Sequence, residues 1–454
     1  MAAPTHVNCA CQTCTEIRMK IEQIFQVLNL YDWLLNSYVV DFFQEDLWRK
    51  LPDSWKSILE ETTPQDSRVW PLSLLALRET ILRDDRKNFE IDNQIVTNDL
   101  NQRQEKFDKL FTKHIKKKKR YEIKEIVCAN CAYNCNCKCI VDIGSGMGHL
   151  ARSLAFQHGL CVTCIEQDNS LLQQASKCDQ ELLTSIKKHV PNFDGKSPQH
   201  VAAKLESSNL VETELINRLQ KVFKHEFSLD EADAKFGLVG LHPCGDLAPL
   251  LLKLYTSNNE IKFICIVGCC YMKLTLCDGG GLKGYPLSNY LLLLKPPELT
   301  YTALEVACHA IEKYSDKLIT GNYEDLIVHA YRAALETILI KKSANLRHSQ
   351  VKNVKVTKGM TFEQYCEAAT IHLEKDLRPQ SSDLNNATVR SFLQGWQRII
   401  IFGSLRIMLA PLVETLVLFD RFLFLSDKSL SPVVKAIFDA KISPRNLPLR
   451  AISP

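Results

Sequence analysis

The segment Cys139-Ile-Val-Asp142-Ile-Gly144-Ser145-Gly146-Met-Gly148-His149 decides the fold. Its first five residues are apolar or β-branched apart from Asp142, the composition of a short buried strand. Three glycines at alternate positions then supply a turn in which the backbone can take conformations closed to other residues and pass close beneath a ligand. Met147 to Gln157 carries a helical pattern closed by Gly159, and Cys161-Val-Thr-Cys-Ile165 is a second β-rich run. Strand, glycine turn, helix and strand make a βαβ unit, and the free N–H groups at the helix start suit a polar ligand. A dinucleotide fingerprint G-x-G-x-x-G would place glycine at 149, where His149 stands, so no pyrophosphate cradle is expected.

Working outward, Lys235-Phe-Gly-Leu-Val-Gly-Leu241 and Lys262-Phe-Ile-Cys-Ile-Val267 lack polar alternation, as strands covered on both faces of a parallel sheet do. Residues 180–232, ahead of both, are mostly polar and read as mostly helical. All 17 glycines lie at or after Gly144, and 13 of them fall between Gly144 and Gly284, so the tight turns concentrate in the middle of the chain. The glycine-free N-terminal part carries Ile17, Ile21, Ile24, Phe25, Leu28, Leu35, Val39, Phe42 and Phe43 at helical spacings, and a further helix opens at Trp70-Pro-Leu72 and runs to Leu82. Helices return after Thr302, at Ile311 to Leu318, Glu324 to Lys341 and Phe362 to Leu377. Three regions are expected: a helical one over 1–112, an α/β core over 113–300 with a helical insertion near 180–232, and a mostly helical one over 301–454. The tail Arg445 to Ile452 is a candidate for a last strand returning to the sheet edge.

Composition excludes little beyond the extremes. The 454 residues are 46% hydrophobic and 24% charged, which is globular, and 56 Lys+Arg against 52 Asp+Glu leave +4, so any polyanion contact has to be local. Eighteen cysteines are too few for a disulfide scaffold in a chain of this length, and Met1 to Ile24 has no apolar core of a signal peptide. Reduced thiols and an intracellular location, cytoplasmic or nuclear, are expected. The most apolar stretch, Ile399 to Phe424, is interrupted by Arg406, Glu414, Asp420 and Arg421, so it reads as a buried helix pair rather than a membrane anchor.

The Asp142-Ile-Gly144-Ser145-Gly146-Met-Gly148 turn resembles motif I of the Rossmann-like S-adenosylmethionine-dependent methyltransferases. Glu166, at the end of the second strand and 24 residues after Asp142, suits the acid that accepts hydrogen bonds from ribose hydroxyls. The resemblance extends further. Phe43, Leu47-Trp48, Leu51-Pro-Asp-Ser-Trp55, Val69-Trp-Pro-Leu72, Gly240-Leu-His242-Pro-Cys244-Gly-Asp246-Leu247, Val267-Gly-Cys-Cys-Tyr271-Met-Lys-Leu274, Tyr331-Arg-Ala-Ala-Leu-Glu336, Leu409-Ala-Pro-Leu-Val-Glu-Thr-Leu416 and Ser443-Pro-Arg-Asn-Leu447 resemble the methyltransferase-like 25 family. The resemblance implies an α/β fold: a Rossmann-like S-adenosylmethionine-dependent methyltransferase sheet with a helical N-terminal domain and helical C-terminal additions. It implies S-adenosyl-L-methionine as cofactor, held by Asp142, Gly144, Ser145, Gly146, Gly148 and Glu166, and it leaves the acceptor open.

His242-Pro-Cys244-Gly-Asp246 follows the strand ending at Leu241, where such enzymes address the methyl acceptor. His242 or Asp246 is placed to receive a proton, Cys244 to act as a nucleophile toward a pyrimidine, and Tyr271 to stack on a planar acceptor. The Asn/Asp-Pro-Pro-aromatic turn of amino-directed nucleic-acid methyltransferases is absent, and a structural turn with Asp246 capping the next helix is the alternative. Lys116, Lys117, Lys118 and Lys119 form the densest basic run, suited to RNA phosphates, with a solvated helix start or an import signal as alternatives. Cys128, Cys131, Cys135, Cys137 and Cys139 contain zinc half-site spacing, with Cys9, Cys11 and Cys14 as further candidate ligands, but reduced structural thiols are the preferred reading. An RNA methyltransferase is the favoured function; protein or small-molecule acceptors, or a non-catalytic cofactor-binding scaffold, are the alternatives.

Overall fold

The structure, a computed structural model, describes residues 9–60, 69–83, 111, 115–125, 128–205, 209–231, 233–276, 284–294, 299–308, 316–317, 326–349 and 351–453. The chain forms two compact units, each built from separated segments: Met1–Phe25, Arg86–Leu299 and Glu414–Pro454 in one, Gln26–Asp85 and Thr300–Val413 in the other. The grouping differs from three consecutive regions because the C-terminal segment supplies two strands to the sheet.

The first unit holds a seven-stranded sheet: β1 Cys139–Ile143, β2 Cys161–Glu166, β3 Gln199–Ala202, β4 Phe236–Cys244, β5 Ile261–Cys269, β6 Val433–Val434 and β7 Leu449–Ile452. Their order is β3-β2-β1-β4-β5-β7-β6. Strands β1 to β5 are parallel, β7 runs antiparallel to β5, and β6 runs antiparallel to β7. This is a mixed α/β, Rossmann-like fold. Every residue of β1 is buried, as its apolar composition requires. The chain steps outward from β1 to β2 and β3, then crosses back to β4, so the switch point lies between β1 and β4. Apolar clusters fill the space around the sheet, one including Val141, Leu238, Leu251 and Ile264, another Ile140, Leu154, Val162 and Phe263.

The strand β3 interrupts the stretch 180–232, which was expected to be mostly helical. Its residues Gln199 and His200 are polar and only half-buried at the sheet edge, so no apolar run announces it. Helices Asn169–His189 and Asn209–Glu226 flank it. The tail does return as β7, with Pro448 just outside the strand, where its missing N–H costs nothing.

In the second unit, helices Ile327–Lys342 and Phe362–Thr370 pack through Tyr331, Leu335, Ile338, Phe362, Tyr365 and Leu384. The latter helix ends at Thr370, short of the expected Leu377, and a separate 3-10 turn covers Lys375–Leu377. The N-terminal helix spans Gln12–Leu30, and Asp32–Leu35 is a separate short helix. The helix opening after Trp70-Pro71 is Leu72–Arg83, whereas the expected helix Ile311 to Leu318 falls mostly outside the described residues. The apolar stretch forms two helices, Trp396–Ile407 and Ala410–Ser426. By length and composition it passes as a membrane span, yet 78% of its most apolar window is buried within the protein. Its charges are internal pins. Asp420 accepts the backbone N–H groups of Leu287 and Ser288 at 2.8 Å each, and Arg406 donates to the carbonyls of Leu35 and Thr302.

Candidate functional site

The glycine turn leaves the carboxyl end of β1 with Gly144 at φ 67°, Gly146 at 54° and Gly148 at 67°, all in the left-handed region that favours glycine. At Gly146 a Cβ would enter open space, with no heavy atom within 4 Å, so the turn is uncovered on that side. Glu166 ties the end of β2 to this turn. Its Oε2 accepts the N–H of Gly146 at 3.0 Å, and its Oε1 accepts those of Gln167 at 2.8 Å and Asp168 at 3.1 Å. A carboxylate has about four lone-pair sites, so this half-exposed group keeps capacity for a further donor. Asp168 caps the next helix through the N–H groups of Ser170 and Leu171. Ser145 is buried beside Cys164.

Asp142 is buried in β1, and desolvation together with the Glu166 charge lifts its carboxyl to about 7 against the opposing pull of Lys119. Behind the turn lies a polar network that the sequence does not announce. Arg152 Nη1 meets Asp179 Oδ1 at 2.6 Å, His200 Nε2 meets Asp179 Oδ2 at 2.6 Å, and Arg152 Nη2 donates to the Met147 carbonyl at 2.5 Å. Arg152 Nη2 also approaches His149 Nδ1 at 2.8 Å. Burial, with the charges of Arg152 and Lys119, lowers the His149 pKa to about 4, so its ring is neutral at pH 7. The network spans the first helix of the βαβ unit, the long helix after β2, and β3, and it fixes the carbonyl in the middle of the glycine turn.

The basic run begins the helix Lys117–Glu125. Lys116, Lys117 and Lys118 are exposed, while Lys119 is half-buried and acts electrostatically on both Asp142 and His149, which puts this helix start at the rim of the glycine turn. One turn on, Glu122 is only 2% exposed. Its Oε1 meets His242 Nε2 at 3.1 Å, accepts Ser443 Oγ at 2.6 Å and lies 3.3 Å from Lys118 Nζ. Burial opposes its ionisation, but hydrogen bonds from His242 and Ser443 and the charges of His242 and Lys118 outweigh it and hold the pKa at about 2. Glu122 is therefore an anion gripping His242. The sequence signal for it was the carboxylate shortly after the lysines.

His242 sits in a bulge: β4 advances from Leu241 to Cys244 while β5 advances from Val267 to Cys269. It has φ 70°, unusual for a non-glycine residue. The bulge brings Cys244 Sγ to 3.3 Å from Cys269 Sγ, and both sulfurs lie 3.4 Å from the His242 carbonyl oxygen. The bond from Cys269, despite partial burial and with help from Cys270, Lys273 and His242, lowers the exposed Cys244 thiol to about 5. Its partner Cys269 is pushed far up by the same sharing of one proton and by burial.

Two expected acceptor-side residues have other engagements. Asp246 does not cap its helix: Oδ1 accepts the Thr275 N–H at 2.8 Å and Oδ2 the Thr275 hydroxyl, so the carboxylate pins the segment after β5. Tyr271 is 1% exposed, donates to Glu414 Oε1 at 3.1 Å, and has the guanidinium groups of Arg421 and Arg445 at 5.6 and 5.9 Å from its ring centroid. It is enclosed and cannot stack on a planar acceptor, a correction to the role expected of it. Of the remaining cysteines, Cys137 and Cys139 are buried and donate to the carbonyls of Cys139 and Asp233, while half-buried Cys135 donates to that of Cys131.

The glycine turn, the Glu166 carboxylate and the switch point between β1 and β4 lie at the same end of the sheet. Residues 113–277 match a family described as "Methyltransferase domain", and the chain carries a methyltransferase domain over that span. Two relatives bear the name "Probable methyltransferase-like protein 25". The chain is 32% identical over 225 residues to the one from Homo sapiens and 29% identical over 221 residues to the one from Mus musculus. Each match covers 46% of this chain, and only 35% and 36% of the respective relatives' length.

Proposed function

We propose that the protein is an S-adenosylmethionine-dependent methyltransferase acting on RNA. The observation that carries the cofactor is the Gly146–Glu166 contact, which joins the glycine turn to a half-exposed carboxylate at the carboxyl ends of β1 and β2. The residues fit that cofactor: Gly144, Gly146 and Gly148 let the backbone approach it, Glu166 retains an acceptor site for a ribose hydroxyl, and Asp142 and Ser145 stand beneath. A bound S-adenosylmethionine would supply an electrophilic methyl group on a sulfonium. His242 is the chain's proton acceptor. With the Nε2 proton directed at Glu122, Nδ1 is the nitrogen left to take a proton from an attacking group. Glu122 sets the tautomer and orientation, as the carboxylate of a catalytic triad does. RNA is supported by Lys116, Lys117, Lys118 and Lys119 at the rim of this site, where they meet phosphates without needing sequence contacts.

Titration calorimetry with S-adenosylmethionine and its demethylated product tests the cofactor. Micromolar binding is expected, and Glu166→Ala should weaken it by about 1–3 kcal/mol through a lost charge-assisted hydrogen bond. No heat at millimolar ligand would refute the reading. Transfer of labelled methyl to RNA, protein and metabolite fractions side by side tests the acceptor. Charge reversal across Lys116 to Lys119 should reduce the salt dependence of RNA binding; an unchanged slope, or label in protein alone, would remove RNA.

A further inference from the structure

The bulge at the ends of β4 and β5 gathers three thiols that the methyl-transfer reading does not use as a set. Cys244, Cys269 and Cys270 have sulfurs all within 4.8 Å of one another, the closest pair 3.3 Å apart. Four ligands around zinc at a Zn–S distance of ~2.3 Å have sulfurs roughly 3.8 Å apart, inside this range. We propose that Cys244, Cys269 and Cys270 form a three-thiolate site for a soft d10 divalent cation, zinc, with an open fourth position on the exposed side of Cys244.

The backbone is shaped for this convergence. Successive residues of a strand point to opposite faces, so the neighbours Cys269 and Cys270 could not both face Cys244 if β5 continued. Instead β5 ends at Cys269, and Cys270 takes φ 50°, turning its side chain back. His242, in the bulge of β4, also takes a left-handed φ, 70°. Residues held in such conformations are sustained by surrounding structure and cluster at ligand sites. Charge is also matched. Three thiolates and one divalent cation carry a net −1, and the buried guanidinium of Arg421 and the ammonium of Lys273 lie in electrostatic range of the thiols. Arg421 is 1% exposed and its Nε and Nη2 have no hydrogen-bond partner, so a buried cation stands beside the thiols without full local compensation. Three protein ligands with one accessible position is the pattern that leaves room for water or a substrate atom.

A second triad, Cys9, Cys11 and Cys14, also has its sulfurs within 4.8 Å of one another, at a cleft of about 780 Å³ also lined by Phe422 and Asp427. The test therefore uses the full chain with Cys9, Cys11 and Cys14 replaced by Ser. Reduced protein is titrated with zinc against a chromophoric chelator, and with cobalt to read thiolate-to-metal charge-transfer absorption. One equivalent is expected. Cys269→Ala and Cys244→Ala should each weaken zinc by at least tenfold and lose the cobalt band, with circular dichroism confirming a folded chain. Independently of any variant at the site, zinc should protect all three thiols from iodoacetamide, read residue by residue by mass spectrometry. Binding of less than one equivalent, equal affinity in the variants, or a Cys244–Cys269 disulfide that forms in air as readily with zinc as without would overturn the proposal.

Discussion

Removing Asp179 tests whether the buried network behind the glycine turn positions the cofactor site. Asp179 is 2% exposed and divides its two oxygens between Arg152 and His200, both at 2.6 Å. Asp179→Ala leaves the Arg152 guanidinium, 5% exposed, without its counter-ion, while its remaining bonds run to the Met147 and Ala175 carbonyls and to His149. Breaking one partner of a buried pair costs about 3–5 kcal/mol, since the orphaned charge stays buried. For a unit of this size each kcal/mol moves the melting point by roughly 2–4 °C, so the transition of the sheet unit should fall by roughly 6–20 °C. The loss should reach the site as well. Arg152 would shift toward water, releasing the Met147 carbonyl, and S-adenosylmethionine affinity measured by calorimetry well below the new melting point should drop at least tenfold. The double variant Arg152→Met with Asp179→Leu removes both charges and should recover much of the stability but little of the affinity. A single variant that melts within 2 °C of wild type, which is under ~1 kcal/mol, or that binds cofactor as tightly, would refute the reasoning.

Three further outcomes follow from the same geometry. Glu122→Gln should lower turnover at least tenfold while cofactor affinity stays within about twofold, because the anion acts through His242; equal turnover would demote His242 to a structural role. In metal-free, reduced protein Cys244 should alkylate nearly as fast at pH 6 as at pH 8, since its thiol titrates near 5, whereas an ordinary thiol slows roughly a hundredfold over that interval. Asp142 ionises in the unfolded chain near 3.8 but in the folded one near 7, so the native state holds a proton that the unfolded state has lost. Stability contributed by that proton is present below about 4 and fades as pH rises to about 7, a loss on the order of 4 kcal/mol. Urea unfolding without cofactor should therefore show Asp142→Asn gaining on wild type between pH 4 and 8; a difference independent of pH would show that Asp142 ionises freely in its strand.

Local order in the sheet unit was legible in the residues alone. The runs at Cys139, Cys161, Lys235 and Lys262 are mostly apolar, with no polar alternation, because strands covered on both faces admit none, and they became β1, β2, β4 and β5 with small shifts at their ends. The glycines at 144, 146 and 148 were legible because positive φ at alternate positions is a demand few residues meet. Tertiary structure decided everything that depends on contacts between distant segments. Strand β3 exists because Glu166 and Thr163 pair with it, not because Gln199 and His200 favour a strand. Tyr271 was expected to stack on an acceptor, but Glu414 and Arg445, from 143 and 174 residues further on, enclose it. Glu122 holds His242 across 120 positions, and Asp246 turned from a helix cap into a pin for Thr275. A buried carboxylate must find donors wherever the fold supplies them, and the identity of those donors is written in the packing of the sheet's two ends, not in the spacing of any one motif.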